Sequence, residues 1–390
     1  MVDVININHT GTIIDRIEHV LDNLNCNETK AVWFGYTKNV YAIQKELNLR
    51  GKWLHYVVDN NPISWGCVVD GDLLVFPVEQ IVQRYLGRAI FFVASQYATA
   101  MAGQLKALGV DNSQIYVVYT HEESLKEYEK LNEDIRKNGY KELNPRDSQL
   151  ALFEVLKVFR DFCDANGLRY FLAGGTLIGA ARHKGFIPWD DDIDVYLPDK
   201  DFNKFIKIFP SGGRFEAIHW TKGHNIDIDK AVLADTEIIM HQNNFYSVQV
   251  GYCNISIFRI TGYPKEQERF NKKFKTNFML DRKYTDYMCH KQINPKMTYD
   301  VLHDMNLLKF NCDFDDSPMI GKAHILGFKS MWCVPHSVYE SSVKLEFEGE
   351  LFSAPQGYDY YLNHRFGNYM KLPPINEQVA LHGFTFFKKG

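Results

Sequence analysis

The stretch FLAGGTLIGAARHKGFIPWDDDIDV, from Phe171 to Val195, restricts this chain more than any other. It runs an apolar segment, a Gly-Gly-Thr turn, a helix-like segment and an acidic segment together with almost no linker. In WDDDIDVYL, Ile193, Val195 and Leu197 fall at every second residue, the period of a half-buried strand. That phase sends Asp190, Asp192 and Asp194 to the opposite face. Alternate strand residues lie about 6.6 Å apart at Cα, so two such carboxylates can share one cation. Mg²⁺ is the expected guest, with Mn²⁺ as the alternative, because Mg²⁺ takes oxygen ligands and is often shared with substrate phosphates.

The preceding residues complete a metal–phosphate site. Arg169–Ala173 reads as a short buried strand, and Gly174-Gly175 permits a tight turn with nothing protruding. Thr176 is expected to cap a helix through Leu177–Arg182, whose N-terminus would suit an anion. Arg182, His183 and Lys184 follow as phosphate-neutralising candidates, and Gly185 ends the helix. A Gly-Gly pair before a helix is ordinary, and an aspartate run is more often a solvated loop. The alternation of the acids with apolar residues separates this run from that reading.

The pattern GGTLIGAARHKGFIPWDDDIDV resembles the signature of the LicD (fukutin-related) phosphotransferases, a branch of the nucleotidyltransferase fold. Weaker similarity continues through GKAHILGFKSMW and FEGELFSAPQGYDYYLNHRFGNYMKLPP, so the resemblance covers about Asn144 to His382. It implies transfer of a phospho-alcohol, phosphocholine first, from a cytidine diphosphate carrier to a glycan. It also implies a third carboxylate on a later strand, in an Ile-Asp-Ile-Phe run. Here that run reads Ile255-Ser256-Ile257-Phe258, and a hydroxyl is a poor base at neutral pH. Asp190 takes the role, or Asp227 or Asp229 does, or the chemistry has been lost. Some family relatives carry a zinc loop, for which Cys289, His290 and Cys312 are the candidates, although their spacing is no recognised zinc motif.

The 390 residues suit two domains, each able to bury a core. A net charge of −4 argues against a nucleic-acid partner. No stretch reaches eighteen apolar residues, so no membrane span is expected, and the N-terminus lacks the pattern of a secretory signal. The cytoplasm, with peripheral contact at the inner face of the membrane, is the expected location. Seven cysteines without a Cys-x-x-Cys pair fit reduced, structural thiols there.

The expected fold class is α/β and α+β: a Rossmann-like doubly wound domain (1–120), a helical connector (121–147), and a LicD-like nucleotidyltransferase-fold domain with a mixed sheet (148–390). In the first domain, helix Ile13–Leu24, strand Ala31–Phe34, helix Val40–Leu47, strand Trp53–Val58, a hairpin at Asp70-Gly71 with strand Leu73–Phe76, helix Val78–Leu86, strand Ala89–Ala94, helix Ala98–Leu108 and strand Gln114–Tyr119 alternate. Asp59 stands 24 residues after Gly35, near the spacing of a ribose-binding acid. The first turn, however, holds one glycine where a dinucleotide fingerprint has three, so NAD is not expected.

Asn144-Pro145 is read as breaking the connector, and Ser148–Asn166 as an amphipathic helix with Leu150, Leu152, Phe153, Leu156, Val158 and Phe159 inward. Helix Asp201–Phe209 and strands Asn225–Ala234, Glu237–His241, Tyr246–Tyr252 and Asn254–Ile260 follow. Pro264–Arg282 reads as a basic, mostly helical face, solvated or set against an anionic glycan or lipid-linked acceptor. Short strands Val343–Phe347 and Leu351–Ser353 and a helix near Tyr358–Phe366 close the chain, with His364, Arg365, Tyr369 and His382 available to substrate.

The expected mechanism seats the carrier diphosphate over Gly174, Gly175 and Thr176, with Arg182 or Lys184 neutralising it and the divalent ion on Asp192 and Asp194. Asp190 orients or deprotonates the acceptor hydroxyl, and cytidine monophosphate leaves. The alternatives are a CTP-using nucleotidyltransferase that makes an activated alcohol or sugar, and a non-catalytic partner in envelope assembly.

Overall fold

The computed structural model describes residues 6–8, 10–23, 29–70, 73–222, 226, 229–244, 247–263, 313–322 and 333–390. Expectations at Gly71, Asp227, Pro264–Arg282, Cys289, His290, Cys312 and residues 323–332 lie outside these. The chain divides into two compact units: Val2–Gly139 with His241–Val250, and Tyr140–Met240 with Gly251–Gly390.

In the first unit, β1 (Asn6–Asn8) and α1 (Thr10–Asp22) precede β2 (Lys30–Phe34), α2 (Lys38–Leu49), β3 (Tyr56–Asp59), β4 (Val68–Asp70) and β5 (Leu73–Pro77). Then come α3 (Val78–Tyr85), β6 (Ala89–Ala94), α4 (Ala98–Ala107), β7 (Ile115–Tyr119) and α5 (His121–Lys137). The strands order as β4-β5-β3-β2-β6-β7, parallel except for the β4–β5 pair. The two-residue period explains the layers. Ala31 and Trp33 join α1 and α2 in one core, while Val32 and Phe34 join α3 and α4 in another. The second strand, β3, starts at Tyr56 and not at Trp53, which lies half exposed before it.

The second unit begins at β8 (Tyr140–Glu142) and α6 (Pro145–Ala165). Asn144-Pro145, read as a break, is this helix's own start. The Asn144 side chain accepts from Asp147 N, and Pro145 stands in the first turn, where its missing N–H has no intrahelical duty. Leu150, expected inward, is exposed; Leu152, Phe153, Leu156 and Phe159 are buried with Val155 and Cys163.

Next come β9 (Phe171–Leu172), α7 (Gly174–Ile178), β10 (Asp194–Pro198), α8 (Asp199–Ile208) and β11 (Phe215–His219). The four strands expected over 225–260 are two long ones, β12 (Lys230–Asn244) and β13 (Ser247–Tyr263). The expected gaps at Asp235-Thr236 and Cys253 are absent: Asp235 is buried and paired with Arg214, Cys253 is buried, and the strands run through both. Strands β14 (Met319–Lys322), β15 (Cys333–Pro335), β16 (Ser342–Phe347) and β17 (Glu350–Pro355), helix Tyr358–Phe366 and β18 (Phe384–Lys389) finish the unit.

In the order β15-β14-β13-β12-β18-β8 the pairs β15–β14, β14–β13 and β18–β8 are antiparallel, and β10 joins β13 in parallel. This is a mixed sheet. The β9–β10 pairing (Val195 opposite Leu172) fixes the Gly-Gly turn beside the acidic residues.

Candidate active site

The acids do not share a strand face. β10 begins only at Asp194, and Asp190–Ile193 is an irregular lead-in. The lead-in is held from behind: Gln149 of α6, itself buried, donates to the carbonyls of Ile187 (3.3 Å) and Asp190 (3.0 Å). With these backbone anchors the loop can converge its carboxylates without strand geometry.

Two glycines make the convergence possible. A Cβ on Gly175 would lie 2.6 Å from Asp190 Oδ2, and one on Gly174 would lie 3.1 Å from Asp194 Oδ2. Gly174 also adopts φ +52°, which disfavours any side chain. The carboxylates of Asp190 and Asp194 therefore rest directly on the glycine turn.

Thr176 does not cap α7 as expected. The helix starts at Gly174, so Thr176 sits in its first turn, and its Oγ1 accepts from Asp194 N at 2.9 Å. Ala173 N donates to Asp194 O at 3.0 Å. These two bonds stitch the turn to the acidic strand. The expected helix Leu177–Arg182 is instead α7 followed by a π turn, Gly179–His183. Gly179 permits a close approach within this turn: a Cβ on it would stand 2.4 Å from Gly185 O. Such π turns recur at functional sites.

Electrostatics mark the acids as crowded. Burial, with the charges of Asp191 and Asp194, pushes Asp190 up to about 6. Burial, with Asp194 and Asp190, pushes Asp192 up to about 7. Burial also raises Asp194, against the pull of Lys322 and Lys230. Asp191 differs. Burial acts on it too, but His382 Nδ1 (3.2 Å) and the backbone N–H groups of His382 (3.4 Å) and Phe384 (3.2 Å) hold it below the usual carboxylate range. Among the described residues no group of three His, Cys, Asp or Glu is arranged to enclose a metal ion. The donor set suits Mg²⁺ in a different way, as a cation held by two carboxylates and completed by water and substrate oxygens. Such a charge would relieve the repulsion among Asp190, Asp192 and Asp194.

Residues 167–302 match the family described as LicD/FKTN/FKRP, nucleotidyltransferase domain. This chain carries a LicD-family domain. It is similar to the lipopolysaccharide cholinephosphotransferase LicD of Haemophilus influenzae, 28% identical over 264 residues, 62% of this chain and 97% of that protein. It is also similar to the ribitol 5-phosphate transferase FKRP of Homo sapiens, 49% identical over 51 residues, 13% of this chain and 10% of that one.

Not every residue singled out in the LicD-family domain meets at the glycine turn. Arg182 Nη1 donates to the carbonyl of Tyr369 and, at 3.5 Å, to that of Lys371. His183 Nδ1 lies 3.3 Å from Arg182 Nε, and burial with that charge lowers its pKa. Lys184, left-handed at φ 57°, is largely exposed and pairs with Glu346 at 3.6 Å. Ser256 is the register partner of Asp194 on β13, in the position where a third acid was sought. Asp229 is buried and ion-paired with Arg259.

Gln149 and Asp191 escaped the sequence reading altogether, and His382 was noted without a role. The contact between His382 and Asp191 spans 191 residues, which no local pattern signals. His382 Nδ1 also comes within 3.6 Å of Asp192.

Proposed function

We propose that this chain is a phosphotransferase that moves a phospho-alcohol, phosphocholine first, from a CDP-linked donor to a hydroxyl of a cell-surface glycan or its lipid-linked precursor, releasing CMP. The supporting observation is the seat formed by Gly174 and Gly175 under the carboxylates of Asp194 and Asp190. The names of the similar proteins, a cholinephosphotransferase and a ribitol 5-phosphate transferase, agree on the reaction class. The finer fold assignments are a Rossmann-like module in the first unit and a nucleotidyltransferase-type sheet in the second. They accord with helices covering both faces of the parallel sheet and with the succession β9, α7, β10.

In this reading Asp192 and Asp194 hold Mg²⁺. When bound there, the ion supplies positive charge against the phosphate oxygens of the donor. The missing side chains at Gly174 and Gly175 leave room for the Asp194 and Asp190 carboxylates that the donor meets, and Thr176 fixes the Asp194 main chain. Asp190, packed on Gly175, orients the acceptor hydroxyl and takes up its proton. The rest is positioning, which carries most of phosphoryl transfer. Among the described residues no helix is long and apolar enough to cross a membrane.

The test is a panel of CDP-choline, CDP-ethanolamine, CDP-glycerol and CDP-ribitol, each with a glycan acceptor, scored for CMP release with and without Mg²⁺. One donor is expected to turn over, and only with the ion. Pyrophosphate release from CTP with no CMP from any donor would replace this reading by a nucleotidyltransferase.

A further inference from the structure

Phe258 carries two ammonium groups. Lys322 Nζ lies 3.3 Å from its ring centre and Lys230 Nζ lies 5.1 Å from it. The lysines come from strands on opposite edges of β13, since Lys230 opens β12 and Lys322 closes β14. The ring attracts each cation, yet two like charges gathered on one ring repel each other, and an anion between them would offset that repulsion.

The register says where such an anion would lie. Asp194 is opposite Ser256, and Tyr196 is opposite Phe258. Phe258 is therefore one pleat repeat, about 6.6 Å, beyond the Asp194–Ser256 pair on the same sheet face. Arg182 and Lys184 are turned to the carbonyls of Tyr369 and Lys371 and to Glu346.

We propose that Lys230 and Lys322, spaced by the Phe258 ring, form a phosphate-oxyanion site next to the carboxylates, occupied by the diphosphate of the donor. The occupant rests on the function proposed above; the anion site itself does not. Lysines bind phosphate as compact point charges and need no bidentate geometry, so two of them can follow a diphosphate along the sheet. The ring also bears on specificity. A quaternary ammonium seeks an open aromatic face, and Phe258 already holds two cations. This end of the site thus reads the phosphates common to all donors, and the alcohol is selected elsewhere.

Calorimetry with inorganic pyrophosphate, without divalent ions and at low salt, tests the site directly. Lys230→Met and Lys322→Met are each expected to weaken binding about tenfold, the loss of one charge-assisted contact. The double variant should abolish it, and arginine at either position should restore most of it. Methionine keeps packing on an aromatic ring, so melting temperatures should hold. Equal pyrophosphate affinity in wild type and double variant overturns the proposal.

Steady-state kinetics then identify the occupant. A tenfold higher KM for the CDP-linked donor, at unchanged acceptor KM, supports the diphosphate. A rise confined to a phosphate-bearing acceptor overturns that assignment. If wild type turns over no CDP-alcohol but the variants still lose pyrophosphate, the proposed activity fails and the anion site stands.

Discussion

Asp59 ends β3 in the parallel unit with both carboxylate oxygens occupied. Oδ2 accepts from Tyr36 N and Oδ1 from Asn61 N, each at 2.7 Å. Asp190, Asp192 and Asp194 stand at the head of β10 in the mixed-sheet unit. Burial pushes all three carboxyls upward, and neighbouring aspartates add to it at Asp190 and Asp192. Both places put an acid at a strand end beside a glycine-opened turn. They differ in how many N–H donors the backbone aims at the carboxylate. Where donors are supplied, the charge holds a loop, and where they are scarce, it is left to interact with something brought in. Asp191 makes the same point inside the run, because three donors reach it and it fastens the C-terminal segment.

The largest effect that would break this contrast is at the crowded acids. Asp192→Asn and Asp194→Asn should each lower CMP release at least about a thousandfold, the scale of a lost electrostatic stabiliser. The melting temperature should hold or rise, since each change removes repulsion. Turnover surviving in both variants would end the metal assignment. A smaller loss, about ten- to a hundredfold in kcat, is expected from Gly175→Ala, whose Cβ would displace the Asp190 carboxylate. Gly103→Ala in α4 is the control: its Cβ would meet nothing within 4 Å, and turnover should not change.

Asp59→Ala should show the opposite balance, with turnover intact and unfolding easier by about 1–2 kcal/mol in denaturant titration, because two N–H groups lose their acceptor. A fall in kcat with no loss of stability would reverse the roles assigned to the two acids.

The smallest effect concerns the hairpin turn of β16 and β17, where Glu348 pairs with Arg146 and accepts from Phe186 N at 3.0 Å. The Arg146 hydrogen bond, opposed by burial, holds Glu348 below the usual carboxylate range. The unfolded chain therefore binds this proton more readily. The contribution to stability is full above the ordinary glutamate pKa and is lost as pH falls through the lower folded value. Glu348→Gln should cost at most about 1 kcal/mol at pH 7, given the exposure of Arg146. The gap to wild type should close in acid melts, and a gap that persists there would mean the charge is not its source.

Local patterning made much of the first unit legible. Strand Ala89–Ala94 occurs as read, and helix Val78–Leu86 and strand Ala31–Phe34 differ by one residue at an end. Periodicity and glycine punctuation act over a few residues, which is all a sequence window contains. The same locality placed the glycines next to the acids but misjudged how they meet. It assigned a strand to Asp190–Asp194 because it could not register Gln149 holding the lead-in from a helix about forty residues earlier.

By itself, then, the sequence determined that an acid cluster would follow a glycine turn, since neighbours in the chain cannot be far apart. Tertiary structure alone decided that Asp191 is spent on His382 and Phe384, that Ser256 faces Asp194, and that Lys230 and Lys322 share one ring. Those meetings depend on strand register and on which faces the core buries, and both are set by contacts between segments remote in the chain.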